Sequence, residues 1–434
     1  MEYPEGELWQ NLMVDLVATS NLRILILTQY YTPEPPFRPA ELASSLKRRG
    51  HDVTVITAIP SYPYGRFYEG YKLRLWQWET IDGVRVLRLP VYPDHSHSSL
   101  RRALYFMSLA ASVSVLGPLL VRCADVMYVY NDPNLGIPSF LLKYLRRIPF
   151  VYEVADIWPE SLSATGMVNS GRLLAVVKGL VQFTCRQASV VTVVSPGFKT
   201  NLTQKGIQSD KIRFIPNWAD EAIYRPVEGD PALAAETGLV GRFNVLYAGN
   251  MGFAQALHAV VQAAELTQDL PQVQFVFVGD GVEKPALEAL VKQKNLANVR
   301  FLDRQPPLRM PYLYALADVL LAHLKRDPLF DITIPSKTLP YLACGRPILM
   351  AVAGDAADVA RQAGAGLICE PENPQAIADA IRQFYTMSPQ ERACFGNAGR
   401  KAFLEQYAQE VLLEKWEQLL YEVASSQHRR RGPV

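Results

Sequence analysis

Short, unbroken apolar runs recur along the chain, most of them followed by a loop and an amphipathic stretch. Residues 22–28 (LRILILT) form the first run, and its length and character predict a strand buried on both faces. A proline-dense loop, 29–38, follows. A helix is then expected over 39–49, with proline at its start and Gly50 just past its end. Runs at 53–57, 84–89, 126–130, 150–153 and 190–194 continue the series of strands, separated for the most part by helical stretches. Such alternation predicts a parallel, doubly wound sheet. The string IPNWAD, 215–220, interrupts it with proline and asparagine. A second alternation follows, with strands at 244–247, 273–278, 299–302, 319–322 and 347–351 and helices at 254–265, 285–294 and 337–343.

The pattern therefore predicts an α/β chain of two Rossmann-like halves, 22–220 and 221–388. An extension, 1–21, precedes them. A long helix or helices over 389–425, expected to pack back on the first half, and a basic tail, 426–434, follow them. Ligands of doubly wound sheets bind beyond the carboxyl ends of the strands, and two such sheets facing each other make a cleft. The chemistry is expected on loops after strands of both halves.

Composition changes this picture little but excludes several classes. A length of 434 residues suits two domains, and 44 basic against 42 acidic residues leave no basic excess for a nucleic-acid partner. Five scattered cysteines without metal-ligand spacing speak for a reducing compartment and against disulfides or a zinc site. Residues 1–21 open on acidic positions rather than a basic patch and an apolar run, so no signal peptide is read there. Residues 104–121 are apolar apart from Ser108, Ser112 and Ser114, with Gly117 and Pro118 near the end. Three readings stay open for them: a buried helix, a spanning helix, and a helix lying on a bilayer surface with the help of Arg101, Arg102 and Arg122. The expected location is cytoplasmic, with peripheral contact at the inner face of the membrane.

The loops carry the candidate chemistry. No G-x-G-x-x-G follows the first strand, and the nearest string, VFVGDGVEK at 276–284, has Lys284 where the last glycine would stand. That argues against a dinucleotide oxidoreductase, and the lack of a P-loop pattern argues against an ATP-driven motor or kinase. In LYAGNMGFAQAL, 246–257, Gly249 and Gly252 would let backbone N–H groups approach an anion at the start of a helix near Phe253. The plainer reading is a tight turn without a ligand. In IPSKTLPYLACGRPIL, 334–349, Ser336 would cap a helix starting at Lys337, and a lysine in a first turn is unfavourable unless it meets a bound anion. Lys325 would be a second cation for the same phosphates, or a solvated loop lysine. In VYEVADIWPES, 151–161, Glu153 ends a strand and Asp156 follows, two carboxylates suited to acid, base or cation-stabilising roles in glycosyl chemistry. The alternative for Asp156 is a helix cap near Pro159. The loops 29–38 and 59–71, with Glu34, Arg38, Tyr62 and Arg66 among their aromatics and prolines, suit stacking and hydrogen bonding to sugars, or are ordered but inert.

Taken together, the strings QYYTPEPPFRPAELASSLKRRGHDVTVIT, DIWPES, IPNWAD, YAGNMGFAQAL and IPSKTLPYLACGRPI resemble those of the retaining glycosyltransferases of family 4, over 22 to about 416. Within that family the chain is most similar to the fucosyl and fucosamine transferases of colanic acid and O-antigen assembly. The resemblance implies a GT-B architecture of two Rossmann-like domains. It implies a nucleotide-sugar donor on the C-terminal half and a glycan or lipid-linked acceptor on the N-terminal half. It also implies retention at the anomeric carbon, with no cofactor and no obligatory metal. Donor binding would fall to Gly249, Asn250, Gly252, Gln255, Gly279, Lys325, Ser336 and Lys337, and acceptor binding to Glu34, Arg38, Tyr62 and Arg66. Glu153 and Asp156 would be the catalytic carboxylates.

The chain departs from the family pattern in three places. Asn250 and Gln255 stand where many members carry a basic pair, Ile332 and Pro340 where many carry two glutamates, and Glu153 where many carry histidine. A GT-B-fold nucleotide-sugar 2-epimerase is a second reading, against which the loops 29–38 and 59–71 argue, since it needs no acceptor surface. A non-catalytic nucleotide-binding paralogue is a third, kept open by Ile332 and Pro340.

Overall fold

The computed structural model describes residues 21–35, 38–94, 98–121, 123–161 and 170–431, with backbone alone at Ser99 and 427–431. The extension 1–20, Arg122 and the side chains of the basic tail lie outside the described residues. The chain divides into two compact units. The first contains 1–193, 199–215 and 413–434, and the second contains 194–198 and 216–412.

The sheet of the first unit runs β3-β4-β2-β1-β5-β6-β7-β8. Its strands are β1 (Arg23–Leu27), β2 (Asp52–Ala58), β3 (Gln77–Ile81), β4 (Val84–Leu89), β5 (Val126–Tyr130), β6 (Phe150–Val154), β7 (Val190–Val193) and β8 (Ile212–Phe214). All neighbours pair in parallel except β3 with β4. That edge hairpin was not expected. Its signature, Asp82-Gly83 between two short strands, is present, and both residues take the positive φ (50° and 77°) that a two-residue hairpin turn demands. The inner strands are buried on both faces, which is why they read as continuous apolar runs. Arg88 is an exception inside β4. It is fully buried, donates from Nε to Glu79 at 2.6 Å and also bonds the carbonyls of Ala58 and Thr32.

Helices α1 (Arg38–Arg48), α2 (Ser99–Leu120), α3 (Gly136–Arg146), α4 (Gly171–Gln187) and α5 (Pro196–Gln204) connect these strands. Right-handed crossovers to the left of β1 and to its right place α1 on one face and α2, α3 and α4 on the other.

The second unit holds an all-parallel sheet, β11-β10-β9-β12-β13-β14. Its strands are β9 (Phe243–Ala248), β10 (Val273–Val278), β11 (Val299–Leu302), β12 (Val319–His323), β13 (Ile348–Ala351) and β14 (Gly366–Cys369). Two apolar clusters fill its two faces, one around Leu246, Leu320 and Met350 and one around Val245, Phe275 and Leu349. Helices α6 (Pro231–Thr237), α7 (His258–Leu266), α8 (Lys284–Gln293), α9 (Met310–Ala315), α10 (Pro328–Asp331), α11 (Thr338–Ala343), α12 (Gly354–Ala363) and α13 (Pro374–Thr386) surround it.

The expected long terminal helix is two, α14 (Pro389–Gln406) and α15 (Gln409–Arg431), broken at Tyr407–Ala408. Residues from Leu413 onward cluster with the first unit. There Trp416 is fully buried, edge-on to Tyr128 at 5.2 Å. Glu417 accepts from Arg49 at 2.8 Å and from His51 Nε2 at 2.7 Å, while His51 Nδ1 accepts the N–H of Leu22. The proton of that imidazole therefore sits on Nε2.

Candidate functional site

In the second unit, a pocket of about 240 Å³ opens at the carboxyl end of β9, between the Gly249 turn and the segment before α11. Gly249, Asn250, Gln255, Ser336 and Lys337 line it, together with Phe330. The Lys337 ammonium sits 3.7 Å from the centroid of the Tyr247 ring and directly beneath Gly249, where an added Cβ would lie 3.2 Å from Lys337 Cε. With φ of 140°, Gly249 is held in a conformation that favours glycine, so the lysine and the turn fit only with no side chain there. Among the described residues no carboxylate lies within ion-pair distance of Lys337. Burial pushes its pKa down to about 7. A half-buried cation with an aromatic face beneath it and no counter-ion is a site that gains by taking up an anion.

The turn itself works differently from the expectation. Three of its four amides are already used within the protein: Gly249 donates to Val278 O at 2.9 Å, Met251 to Asp280 O at 2.8 Å and Gly252 to Gln255 Oε1 at 3.0 Å. Only the Asn250 N–H donates to no protein group among the described residues. The helix expected near Phe253 is a single 3₁₀ turn, Phe253–Gln255, and α7 starts at His258. Ser336 caps nothing; Lys337 occupies the cap position of the short α11, and Ser336 stands exposed on the pocket wall. Lys325 is not among the lining residues. Its Nζ lies 3.8 Å from Asp327, and its N–H holds Ala254 O at 2.9 Å. Gly279, also at φ 140°, backs the turn: a Cβ there would lie 2.1 Å from Gly249 O. Its role is close packing of two turns.

His323, which the sequence pattern did not single out, anchors the same turn. Its Nδ1 donates to Gln255 O at 2.6 Å and its Nε2 accepts the N–H of Glu372 at 3.0 Å. That pairing requires the neutral ring, and burial lowers the pKa accordingly. Ile332, in one of the two positions where a glutamate was sought, packs against Gly197 of the same unit, and its carbonyl accepts from Ser195 Oγ at 2.6 Å. Pro340 lies inside α11.

In the first unit, several candidates turn out to be engaged internally. Glu153 has no exposed surface: Arg38 donates to one oxygen at 2.7 Å and the Tyr128 hydroxyl to the other. Burial raises its pKa, and the arginine and tyrosine oppose the rise. Glu153 and Arg38 are thus a buried pair joining α1 to β6, which corrects both the catalytic and the acceptor-binding expectation. Glu34 is likewise buried. Its Oε1 accepts the N–H groups of Ser61 and Tyr62, both at 2.9 Å, and its Oε2 that of Tyr31 at 3.1 Å. It clamps the two loops together. Tyr62 is half-buried, its ring 4.8 Å from that of Tyr30, and Arg66 is exposed.

Asp156 keeps its candidacy. The residue is exposed while protein crowding around its carboxyl raises the pKa, against a 2.7 Å bond from Asn131 Nδ2. Asn131 also accepts the N–H groups of Ala155 and Asp156 through Oδ1, so it fixes the β6 loop from the end of β5. Next to it stands Asp132, a buried carboxyl missed in the sequence. Burial and, secondarily, the charge of Asp156 push its pKa up to about 7. Two carboxyls at the ends of adjacent strands, one holding its proton near neutrality, can do acid–base work or stabilise developing positive charge. The string Asn131-Asp132-Pro133 after a predicted strand carried the signal.

Two Rossmann-like sheets, the first with a pair of carboxyls and the second with a lysine-lined pocket at the carboxyl ends of their strands, match the GT-B fold, and comparison with known proteins agrees. Residues 38–218 match the glycosyl transferase 4-like domain, and residues 234–402 match the glycosyl transferases group 1 domain. The chain is thus a glycosyltransferase of GT-B type. It is 28% identical over 383 residues to the glycosyl transferase WcaI of Escherichia coli, a protein named for colanic acid biosynthesis; the match spans 83% of this chain and 92% of WcaI. The alpha-galactosylglucosyldiacylglycerol synthase of Streptococcus pneumoniae is 27% identical over 188 residues, 41% of this chain and 48% of that one. The structure of HepE of Anabaena in complex with UDP and glucose superposes with a TM-score of 0.68 at 19% identity, covering 92% of this chain and 99% of HepE.

Proposed function

We propose that this chain is a retaining, metal-independent glycosyltransferase of surface polysaccharide biosynthesis. It moves a sugar, fucose or an N-acetylated deoxyhexosamine, from a nucleotide-diphosphate donor to a lipid-linked or oligosaccharide acceptor at the inner membrane face. The observation that carries the reading is Lys337, a half-buried cation beneath the Gly249 turn with no counter-ion among the described residues. It would take the donor diphosphate and stabilise the charge that grows on it as the glycosidic bond breaks. The name of the E. coli relative supports a polysaccharide product, that of the S. pneumoniae relative a lipid acceptor, and the ligand of HepE a nucleotide donor. Asp156, with Asp132 behind it, would serve the sugar or the acceptor hydroxyl.

The test is incubation of the purified protein with UDP-, GDP- and dTDP-sugars and a lipid-linked acceptor, with and without chelator. The expected outcome is donor-dependent glycosylation that keeps the anomeric configuration and is unaffected by chelation. Isomerised donor without acceptor, or no nucleotide release with any donor, would refute it. Asp156→Asn is expected to lose turnover while nucleotide diphosphate affinity stays.

A further inference from the structure

The layer formed by α2, α3 and α4 carries exposed apolar residues that are not among the candidate-site residues described above. The three helices pack side by side, α3 against both neighbours. Each buries its inner side, through Leu109 and Val113 of α2, Leu142 of α3 and Cys185 of α4, all at 0% exposure. The outer side of α2 is apolar from end to end: Leu104, Met107, Val115 and Leu119 are each at least half exposed, and the first three recur at the three- and multiple-of-four spacing that makes one stripe of a helix. On α3, Tyr144 (73%) and Leu145 (56%) continue it, and on α4 Val176 (65%) does. An exposed apolar surface spread over three helices marks a site of interaction.

Its charge says with what. The chain as a whole is nearly balanced, 44 basic to 42 acidic. These helices hold two basic residues on α2, two on α3 and three on α4, and not one aspartate or glutamate. Arg101, Arg146, Arg172, Lys178 and Arg186 are exposed around the apolar positions. A second copy of so uniformly basic a face would be repelled by it. Spanning is ruled out for α2, although it is long and apolar enough, because its inner side is core and it links two strands of one sheet.

We infer that the outer face of the α2–α3–α4 layer docks on an anionic lipid bilayer, with the apolar residues in the interface and the arginines and lysine among the headgroups. This deepens the inner-face setting proposed above and rests on it for context. Its test uses vesicles without donor or acceptor, so it stands or falls separately from the transfer assay.

Flotation of the full chain with vesicles of phosphatidylcholine alone, and of phosphatidylcholine mixed with phosphatidylglycerol, reads the interaction. Binding is expected to the mixed vesicles, to fall with added salt, and to be at least about tenfold weaker on phosphatidylcholine alone. Arg172→Gln with Lys178→Gln should weaken it about fivefold per charge removed. Leu104→Gln with Val115→Gln should weaken it about tenfold or more through lost apolar insertion. An unchanged thermal midpoint and circular dichroism spectrum would establish that each variant is folded. Equal binding to both vesicle types, folded variants that bind like the parent, or self-association without vesicles that the same substitutions abolish would each overturn the inference.

Discussion

At the scale of single residues, Lys337 and the buried acids carry the most information. In the free protein, burial pushes the pKa of the Lys337 ammonium down to about 7. A bound diphosphate favours the charged form and raises that pKa. Between the two values, binding must take up a proton, so affinity for a nucleoside diphosphate is expected to fall as pH rises above about 7. Calorimetry at pH 8 in buffers of different ionisation enthalpy should show proton uptake. In Lys337→Met the uptake should vanish and affinity should drop about tenfold or more, the scale of a lost charge-assisted contact. Because the substitution removes a desolvated charge, the fold should stay as stable or gain. Pairing explains why other residues were misread. Glu153, Arg38 and Glu34 are polar residues on proline-rich or strand-end segments, and sequence cannot tell a carboxylate aimed at a ligand from one that closes an internal bond. Glu153 meets Arg38 across 115 positions, and that distance in sequence hides the pair.

At the scale of elements, the inner strands were legible because burial on both faces leaves an unbroken apolar run. The runs at 126–130 and 273–278 match the inner strands β5 and β10 end to end, and those at 84–89 and 299–302 also match β4 and the half-exposed edge strand β11. Those missed, β3, β8 and β14, are half-exposed or short and owe their state to a neighbour. The two glycine turns after β9 and β10 are one structural unit: Gly279 exists so that Gly249 can lie against it. Gly279→Ala would force its Cβ to 2.1 Å from the Gly249 carbonyl and strain a φ of 140°. It is expected to cost about 1–3 kcal/mol in denaturant unfolding. It should also weaken diphosphate binding although Gly279 does not line the pocket.

For the whole molecule, the chain crosses between its units more than once, and its last helix returns to the first. Among the described residues Trp416 is the largest fully buried side chain, and it lies among residues of the first unit. Trp416→Ala is expected to cost about 3–5 kcal/mol in the unfolding of that unit. With two units, unfolding should be followed by probes placed in each. A transition of the first unit that moves to lower denaturant, ahead of the second, would bear this out; an unchanged first transition would refute it.

Alternation of apolar runs and amphipathic stretches was enough to determine two α/β sheets of mainly parallel strands and a change of unit close to residue 220, and residue type alone pointed to Gly249 and Lys337, which the fold brings together in one pocket, because these depend on local pattern. Tertiary structure alone decided which charges are spent inside. It turned Glu34, Arg38 and Glu153 into braces, left Lys325 outside the pocket, and set Asp132 beside Asp156 at the ends of two strands. It also aligned three basic, apolar helices into one face. Those outcomes depend on which side chains the fold brings within a few ångströms of each other, and that proximity is set by the packing of elements far apart in sequence.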